Sequence, residues 1–347
     1  CHCNGGVFNL GHRNALIEGA LRKALGFLDI GNHHLISPYR AALARRLAES
    51  TGGILAGAIF TPGGGEAIDL AIKLARGVTG RQKIVSIEGS YHGHTGLAMA
   101  AGDARYREAF GPNLPGFVHV PFNDVEAMRS AVDEQTAAVL LEPIPATLGM
   151  PLPEPGYLQE VEKICREAGA LLGVDEVQTG LGRTGTVWCF QQERISPDLL
   201  VTGKGLSGGY YPMAATLVSQ KVMEWLAEHP FVHISSYGGS ELGCVVGMAV
   251  LDIIESDGFL EGVKRRGEQF AQAFADLDFE LRRKGMMMSL KFEREGDGIA
   301  AAAKLIREGV FAVYANNDSS CVQFLPPLIL DDDDFEMIVD RVRKALG

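Results

Sequence analysis

Residues 170–178 read Ala-Leu-Leu-Gly-Val-Asp-Glu-Val-Gln, and residues 201–209 read Val-Thr-Gly-Lys-Gly-Leu-Ser-Gly-Gly. The first is a short apolar strand that delivers a carboxylate, Asp175, at its carboxyl end. The second delivers an amine, Lys204, between glycines. A carboxylate and an amine at neighbouring strand ends suit pyridoxal phosphate. The lysine forms a Schiff base with its aldehyde, and the aspartate keeps its ring nitrogen protonated.

Working outward, Thr61-Pro62-Gly63-Gly64-Gly65-Glu66-Ala67 runs into a segment whose Ala67, Leu70, Ala71, Leu74 and Ala75 follow helical spacing. Glycines at a helix start leave main-chain N–H groups free to meet an oxyanion, and the helix dipole adds partial positive charge. The spacing predicts a phosphate cup. No Gly-Lys-Ser/Thr follows the glycines, so it is not a nucleotide-binding P-loop.

Apolar runs at 83–87, 137–141, 170–174 and 199–201 alternate with helical stretches, the pattern of an α/β fold with a mostly parallel sheet. After residue 245 the pattern changes, starting with a helix near Met248 to Glu255. The expected organisation is an N-terminal segment over 1–40, a large cofactor-binding domain over 41–244 and a small C-terminal α+β domain over 245–347.

Composition narrows the function. The 347 residues are 46% hydrophobic, enough for a large core, and carry a net charge of −11, which argues against a nucleic-acid surface. No apolar run is long enough to span a membrane, and the start shows no signal-peptide pattern. Six scattered cysteines make no disulfide framework, so a reducing, cytoplasmic setting is expected. Cys1-His2-Cys3 is too compact for a structural zinc site, and no metal is expected. Asp331 to Asp334 reads as a helix cap and acidic first turn.

The chain resembles the class III (ornithine/4-aminobutyrate type) aminotransferases of fold type I. The resemblance runs from Gly6-Val7-Phe8-Asn9-Leu10-Gly11-His12 to Leu325-Pro326-Pro327-Leu328. It is most specific at Asp175-Glu176-Val177-Gln178-Thr179-Gly180-Leu181-Gly182-Arg183-Thr184-Gly185, and Ser90-Tyr91-His92-Gly93-His94-Thr95 and Ser236-Tyr237-Gly238-Gly239 follow the expected order.

The resemblance implies that Lys204 and Asp175 are the catalytic pair. It places Val177 on one ring face, Gln178 at the ring hydroxyl, Tyr91 on the other face, and His92 and Glu142 nearby. Gly64 and Gly65 hold phosphate-cup positions, although glycine replaces the usual hydroxyl residues at 63 and 65. Ser236 matches a threonine that contacts phosphate from the neighbouring subunit, which implies a homodimer with shared active sites. Relatives also carry a further segment ahead of this chain's first residue, so the N-terminus is expected to be incomplete.

The departures bear on substrate. Gln323 stands where relatives on amino acids have an arginine for the α-carboxylate, Thr147 where many have a glutamate beside it, and His94 where others have an arginine. Phe8 is a further substrate-side candidate. Losing a charged pair together is coherent, because a lone buried charge is costly. A planar cationic clamp is what a carboxylate needs, and glutamine supplies no charge. The expected substrate is an amine, or its carbonyl counterpart, without an α-carboxylate.

Two alternatives remain at the level of sequence. The same fold and cofactor also serve aminomutases, lyases and decarboxylases. Gly180-Leu181-Gly182-Arg183-Thr184-Gly185 formally satisfies the dinucleotide fingerprint of an NAD-dependent oxidoreductase, but no helix opens behind it in the sequence pattern.

Overall fold

The computed structural model describes residues 1–111 and 114–347. Seven strands form the larger sheet: β1 (Gly57–Thr61), β2 (Lys83–Ile87), β3 (Phe117–Val120), β4 (Thr136–Leu141), β5 (Leu171–Asp175), β6 (Leu199–Thr202) and β7 (Ala214–Val218). Their spatial order is β1-β7-β6-β5-β4-β2-β3. The pairs from β3 to β6 are parallel, and β7 runs antiparallel to both its neighbours.

The sheet is covered on both faces, which explains why its strands read as continuous apolar runs rather than alternating ones. On one face Ile84, Leu140, Leu171, Leu199 and Val201 pack with Ala67, Ile68, Leu70, Ala71 and Leu74 of the helix Gly64–Thr79. On the other, Val85, Val139, Leu141, Leu172 and Val174 pack with Leu158, Val161 and Ile164 of the helix Tyr157–Ala168. The period of two along each strand therefore distributes one apolar run between two cores.

Four more strands build a second, antiparallel sheet: β8 (Glu280–Lys284), β9 (Met287–Lys291), β10 (Val313–Ala315) and β11 (Asp318–Phe324), in the order β10-β11-β9-β8. Its core joins Met288, Leu290, Val322 and Phe324 to Phe270, Leu305, Phe335 and Ile338 from helices. Asp331 caps the last helix, Asp332–Leu346, by accepting from the Asp334 N–H at 2.8 Å, as the acidic run predicts.

The first helix expected in the C-terminal region is longer than its sequence pattern suggests, running Glu241–Ile254 and so across the 244/245 position. Its Val246, Val250 and Leu251 share a core with Ile17, Leu43 and Leu206 of the larger unit. Among the described residues no helix is long and apolar enough to cross a membrane.

Candidate active site

In open α/β sheets the carboxyl ends of parallel strands make the crevice. Here β2 leads to Tyr91 and His92, β4 to Glu142, β5 ends at Asp175, and β6 leads to Lys204. The turn after β1 brings in Gly64 and Gly65. These residues, with Gly93, Val177 and Gln178, line one cavity of about 140 Å³. All the expected cofactor-side residues except Ser236 thus converge.

Lys204 sits at φ 41, in the left-handed region, where a non-glycine residue is strained. Its Nζ donates to Gln178 Oε1 at 3.2 Å. Burial pushes the Lys204 ammonium down from its ordinary pKa, against the opposing charges of Asp175 and Glu142. The backbone of Gly5 also comes close, since a Cβ built there would stand 3.2 Å from the Nζ.

Asp175 is held on both oxygens. Oδ1 accepts from the Val177 N–H at 3.0 Å, and Oδ2 accepts from His92 Nδ1 at 2.8 Å. The far ring nitrogen of His92 meets Ser86 Oγ at 3.2 Å. Burial alone would lower the pKa of His92, but the hydrogen bond it donates to Asp175 and the charges of Asp175 and Glu142 outweigh it and raise it. Glu142 accepts from the N–H groups of Tyr91 (3.1 Å) and Ala146 (3.2 Å), and burial lifts its pKa to about 7.

The donor set fits a phosphorylated pyridine aldehyde. Gln178 Nε2 is buried with no hydrogen-bond partner beside the Lys204 amine, a donor that a ring hydroxyl would satisfy. The glycine-turn side of the cavity is narrow: Gly93 has φ 121, and a Cβ there would lie 2.7 Å from the Gly65 Cα. Beside Gly65, Thr95 Oγ1 is buried without a partner. Sequence reasoning passed over Gly93 and Thr95, although both belong to the Tyr-His-Gly-His-Thr stretch it had singled out.

Substrate-side candidates lie outside the cavity lining. Gln323 is buried and donates to the Ala146 carbonyl at 3.3 Å, one residue from Thr147. Thr147 Oγ1 donates to the Gly89 carbonyl at 3.0 Å. His94 is exposed and packs edge-on against Tyr91 and Tyr106. Phe8 stacks on His12, and Ser236 is exposed on the surface. His2, which sequence reasoning weighed only as a metal ligand, lies against Gln323. Burial holds its imidazole below the ordinary pKa, while its hydrogen bond with Gln323 acts the other way.

Two motif readings resolve in the structure. Gly180–Gly185 is a loop and opens no dinucleotide-binding helix. A Cβ on Gly180 would sit 2.8 Å from Trp188, so that glycine serves packing. Arg183 is wholly buried and committed to the carbonyls of Met286 and Pro326 and to Asn9 Oδ1. Burial lowers its pKa to about 10.

The aminotransferase class-III family matches residues 2–346. A relative from Archaeoglobus fulgidus described as an uncharacterized aminotransferase is 52% identical, covering 100% of this chain and 83% of its own length. The ornithine aminotransferase of Toxoplasma gondii superposes with a TM-score of 0.91 at 26% identity, covering 99% of this chain and 85% of that one. The taurine:2-oxoglutarate aminotransferase of Bifidobacterium kashiwanohense, solved with the cofactor and glutamate, gives 0.92 at 25%, covering 99% and 87%. An amine transaminase from an uncultivated Pseudomonas species, in a cofactor-bound form, gives 0.89 at 25%, covering 99% and 89%. The chain belongs to the class III aminotransferases, pyridoxal-phosphate-dependent enzymes of fold type I.

Proposed function

We propose that this aminotransferase moves an amino group between an amine lacking an α-carboxylate and a carbonyl acceptor, with Lys204 and Asp175 as its catalytic pair. When bound, pyridoxal phosphate supplies an aldehyde that condenses with amines and a ring that takes up the electron pair left at the substrate carbon. Lys204 Nζ is the covalent anchor for that aldehyde. The same amine, when free and neutral, would be the base that takes the proton from the substrate carbon. Its burial favours the neutral amine that both tasks need.

Asp175, its rotation fixed by His92 and Val177, would hold the protonated ring nitrogen. Gln178 Nε2 would hold the ring hydroxyl, Val177 and Tyr91 would pack on the ring, and Gly64 and Gly65 would offer main-chain N–H groups to the phosphate. Glu142 holds the Tyr91 and Ala146 main chains and closes the cavity behind His92.

The substrate reading rests on one observation: Gln323 is bonded to the Ala146 carbonyl beside Thr147, with the imidazole of His2 against it. Among the described residues the cluster holds no arginine to grip a carboxylate. Arg183, which could have served, is sealed in and already bonded. The solved relatives are named for ornithine, taurine and amines, so family membership alone does not choose among them.

A homodimer with shared sites is part of the proposal. Leu35, Ile36, Phe231, Val232, Ile234 and Tyr237 are exposed on two adjoining segments around Ser236, a patch a monomer seldom leaves bare.

The test is the visible spectrum of the cofactor-loaded protein with a simple primary amine and, separately, with glutamate. Loss of the yellow absorbance with the amine, and little with glutamate, is the expected result. Loss mainly with glutamate overturns the substrate reading. A Lys204→Ala protein that still turns over removes the catalytic assignment.

A further inference from the structure

The hairpin joining β10 to β11 turns through Asn316 and Asn317, with Ala315 paired to Asp318 across it. Asparagine is favoured in two-residue hairpins because it tolerates the left-handed region. Neither residue uses that freedom here, since neither has a positive φ. Their amides are spent elsewhere. Asn317 donates its main-chain N–H to the Thr147 carbonyl at 2.9 Å and its Nδ2 to the Gly89 carbonyl at 2.7 Å. Its Oδ1 accepts from the Tyr106 hydroxyl at 3.4 Å, and Asn316 Nδ2 donates to the same hydroxyl at 3.0 Å.

These partners lie on the loops that build the cofactor cavity. Gly89 sits two residues before Tyr91, and its carbonyl also accepts from Thr147 Oγ1. Its φ is 75, and a Cβ there would lie 2.7 Å from Leu148 Cδ1, so the two loops are pressed together where Asn317 bonds them. Tyr106 packs edge-on against Tyr91 and His94 with centroids 5.3 and 5.4 Å apart. One residue of the β10–β11 hairpin thus holds the loop after β4 by its main-chain N–H, and the loop after β2 and the Tyr106 ring that packs on Tyr91 by its side chain.

We propose that Asn317 is a positioning residue for the cofactor, through which the antiparallel sheet fixes the Tyr91–His92 loop against the Glu142–Thr147 loop. The inference rests on the cavity around Lys204 being the cofactor site. Asn317 touches no lining group itself and acts through Gly89, Thr147 and Tyr106. Without it the cavity walls lose their register while both sheets keep their own cores.

The experiment titrates the cofactor-free protein with pyridoxal phosphate, following quenching of intrinsic fluorescence, for the unaltered chain, Asn317→Ala, Asn317→Asp and Tyr106→Phe. Asn317→Ala should weaken cofactor binding about tenfold, the scale of one or two lost buried hydrogen bonds, while the melting temperature of the cofactor-free protein stays close to the original. At saturating cofactor its kcat should recover to within a few-fold. Asn317→Asp keeps the acceptor for Tyr106 but loses the donor to Gly89, and should weaken binding as well. Tyr106→Phe should weaken it less. Cofactor affinity within twofold of the original in Asn317→Ala, or in Asn317→Asp should the alanine variant fail to fold, overturns the proposal. So does a loss of affinity matched by collapse of the cofactor-free melting temperature in both Asn317 variants. An unaltered chain that binds no cofactor overturns instead the reading of the cavity.

Discussion

His92 Nδ1 lies 2.8 Å from Asp175 Oδ2, with the His92 side chain wholly buried and that of Asp175 5% exposed. The far nitrogen of His92 is tied to Ser86 within β2, so the imidazole bridges that strand to the carboxylate at the end of β5. Removing it leaves a buried carboxylate oxygen without its donor. His92→Ala should therefore cost about 2–4 kcal/mol of stability in the cofactor-free protein at pH 7, read by urea unfolding. It should also lower cofactor affinity. A loss below about 0.5 kcal/mol would mean that solvent replaces the imidazole without penalty.

The neighbouring carboxylate gives a pH dependence. Glu176 accepts from the N–H groups of Cys189 and Phe190 and from the Thr179 hydroxyl, and burial still pushes its pKa from 4.5 to about 7. The folded state then binds a proton more readily than the unfolded chain. Stability from this group is full below about pH 4.5 and falls as the pH rises through about 7. Glu142, also lifted to about 7, acts in the same direction. Glu176→Gln should shrink the fall in stability between pH 5 and pH 8 by on the order of 2 kcal/mol, allowing for relaxation at the site. Urea unfolding of both proteins at the two pH values checks it, and an unchanged fall contradicts it.

Gly93 is a backbone requirement of the cavity. With φ 121 and a built Cβ only 2.7 Å from the Gly65 Cα, Gly93→Ala must push the loop off the glycine turn. The expected cost is about 1–3 kcal/mol of stability together with weakened cofactor binding. Thermal unfolding and cofactor titration report the two separately. Normal cofactor affinity in a folded Gly93→Ala protein would show that the loop can retreat without opening the cavity.

The substrate side is open to a paired change. Gln323→Arg alone buries a charge and should destabilise the protein by about 2–4 kcal/mol. Adding Thr147→Glu, one residue from the carbonyl that Gln323 already bonds, should recover part of that cost. The double variant should shift the kcat/KM ratio toward glutamate over a matched amine by about tenfold or more. A ratio that does not move would place carboxylate recognition away from Gln323.

Much of the site was legible because its chemistry is carried by short local strings. Asp175, Val177 and Gln178 share one strand end, Lys204 lies between glycines, and Gly64 and Gly65 open a helix whose apolar spacing is plain. Four strands of the larger sheet, β2, β4, β5 and β6, were legible for the same reason, since burial on both faces writes an uninterrupted apolar run, whereas β1, β3 and β7 were not read from the sequence. The C-terminal region was harder to read. The Glu241–Ile254 helix is apolar nearly all round, with Cys244, Val246, Val250 and Ile254 buried, so its start and its allegiance to the larger core leave no boundary in the sequence.

By itself, the sequence determined which groups could meet a cofactor: a strand-end carboxylate, a lysine between glycines, and a glycine turn ahead of a helix. Local spacing decides these, because strand and helix periods govern where neighbouring side chains point. The tertiary structure alone decided which groups stand behind them. Ser86 supports His92 from within β2, Glu142 bridges the Tyr91 and Ala146 main chains, and Asn317 reaches Gly89 from 228 residues away along the chain. Hydrogen bonds of that reach depend on how two sheets dock, and no periodicity in a linear chain records docking.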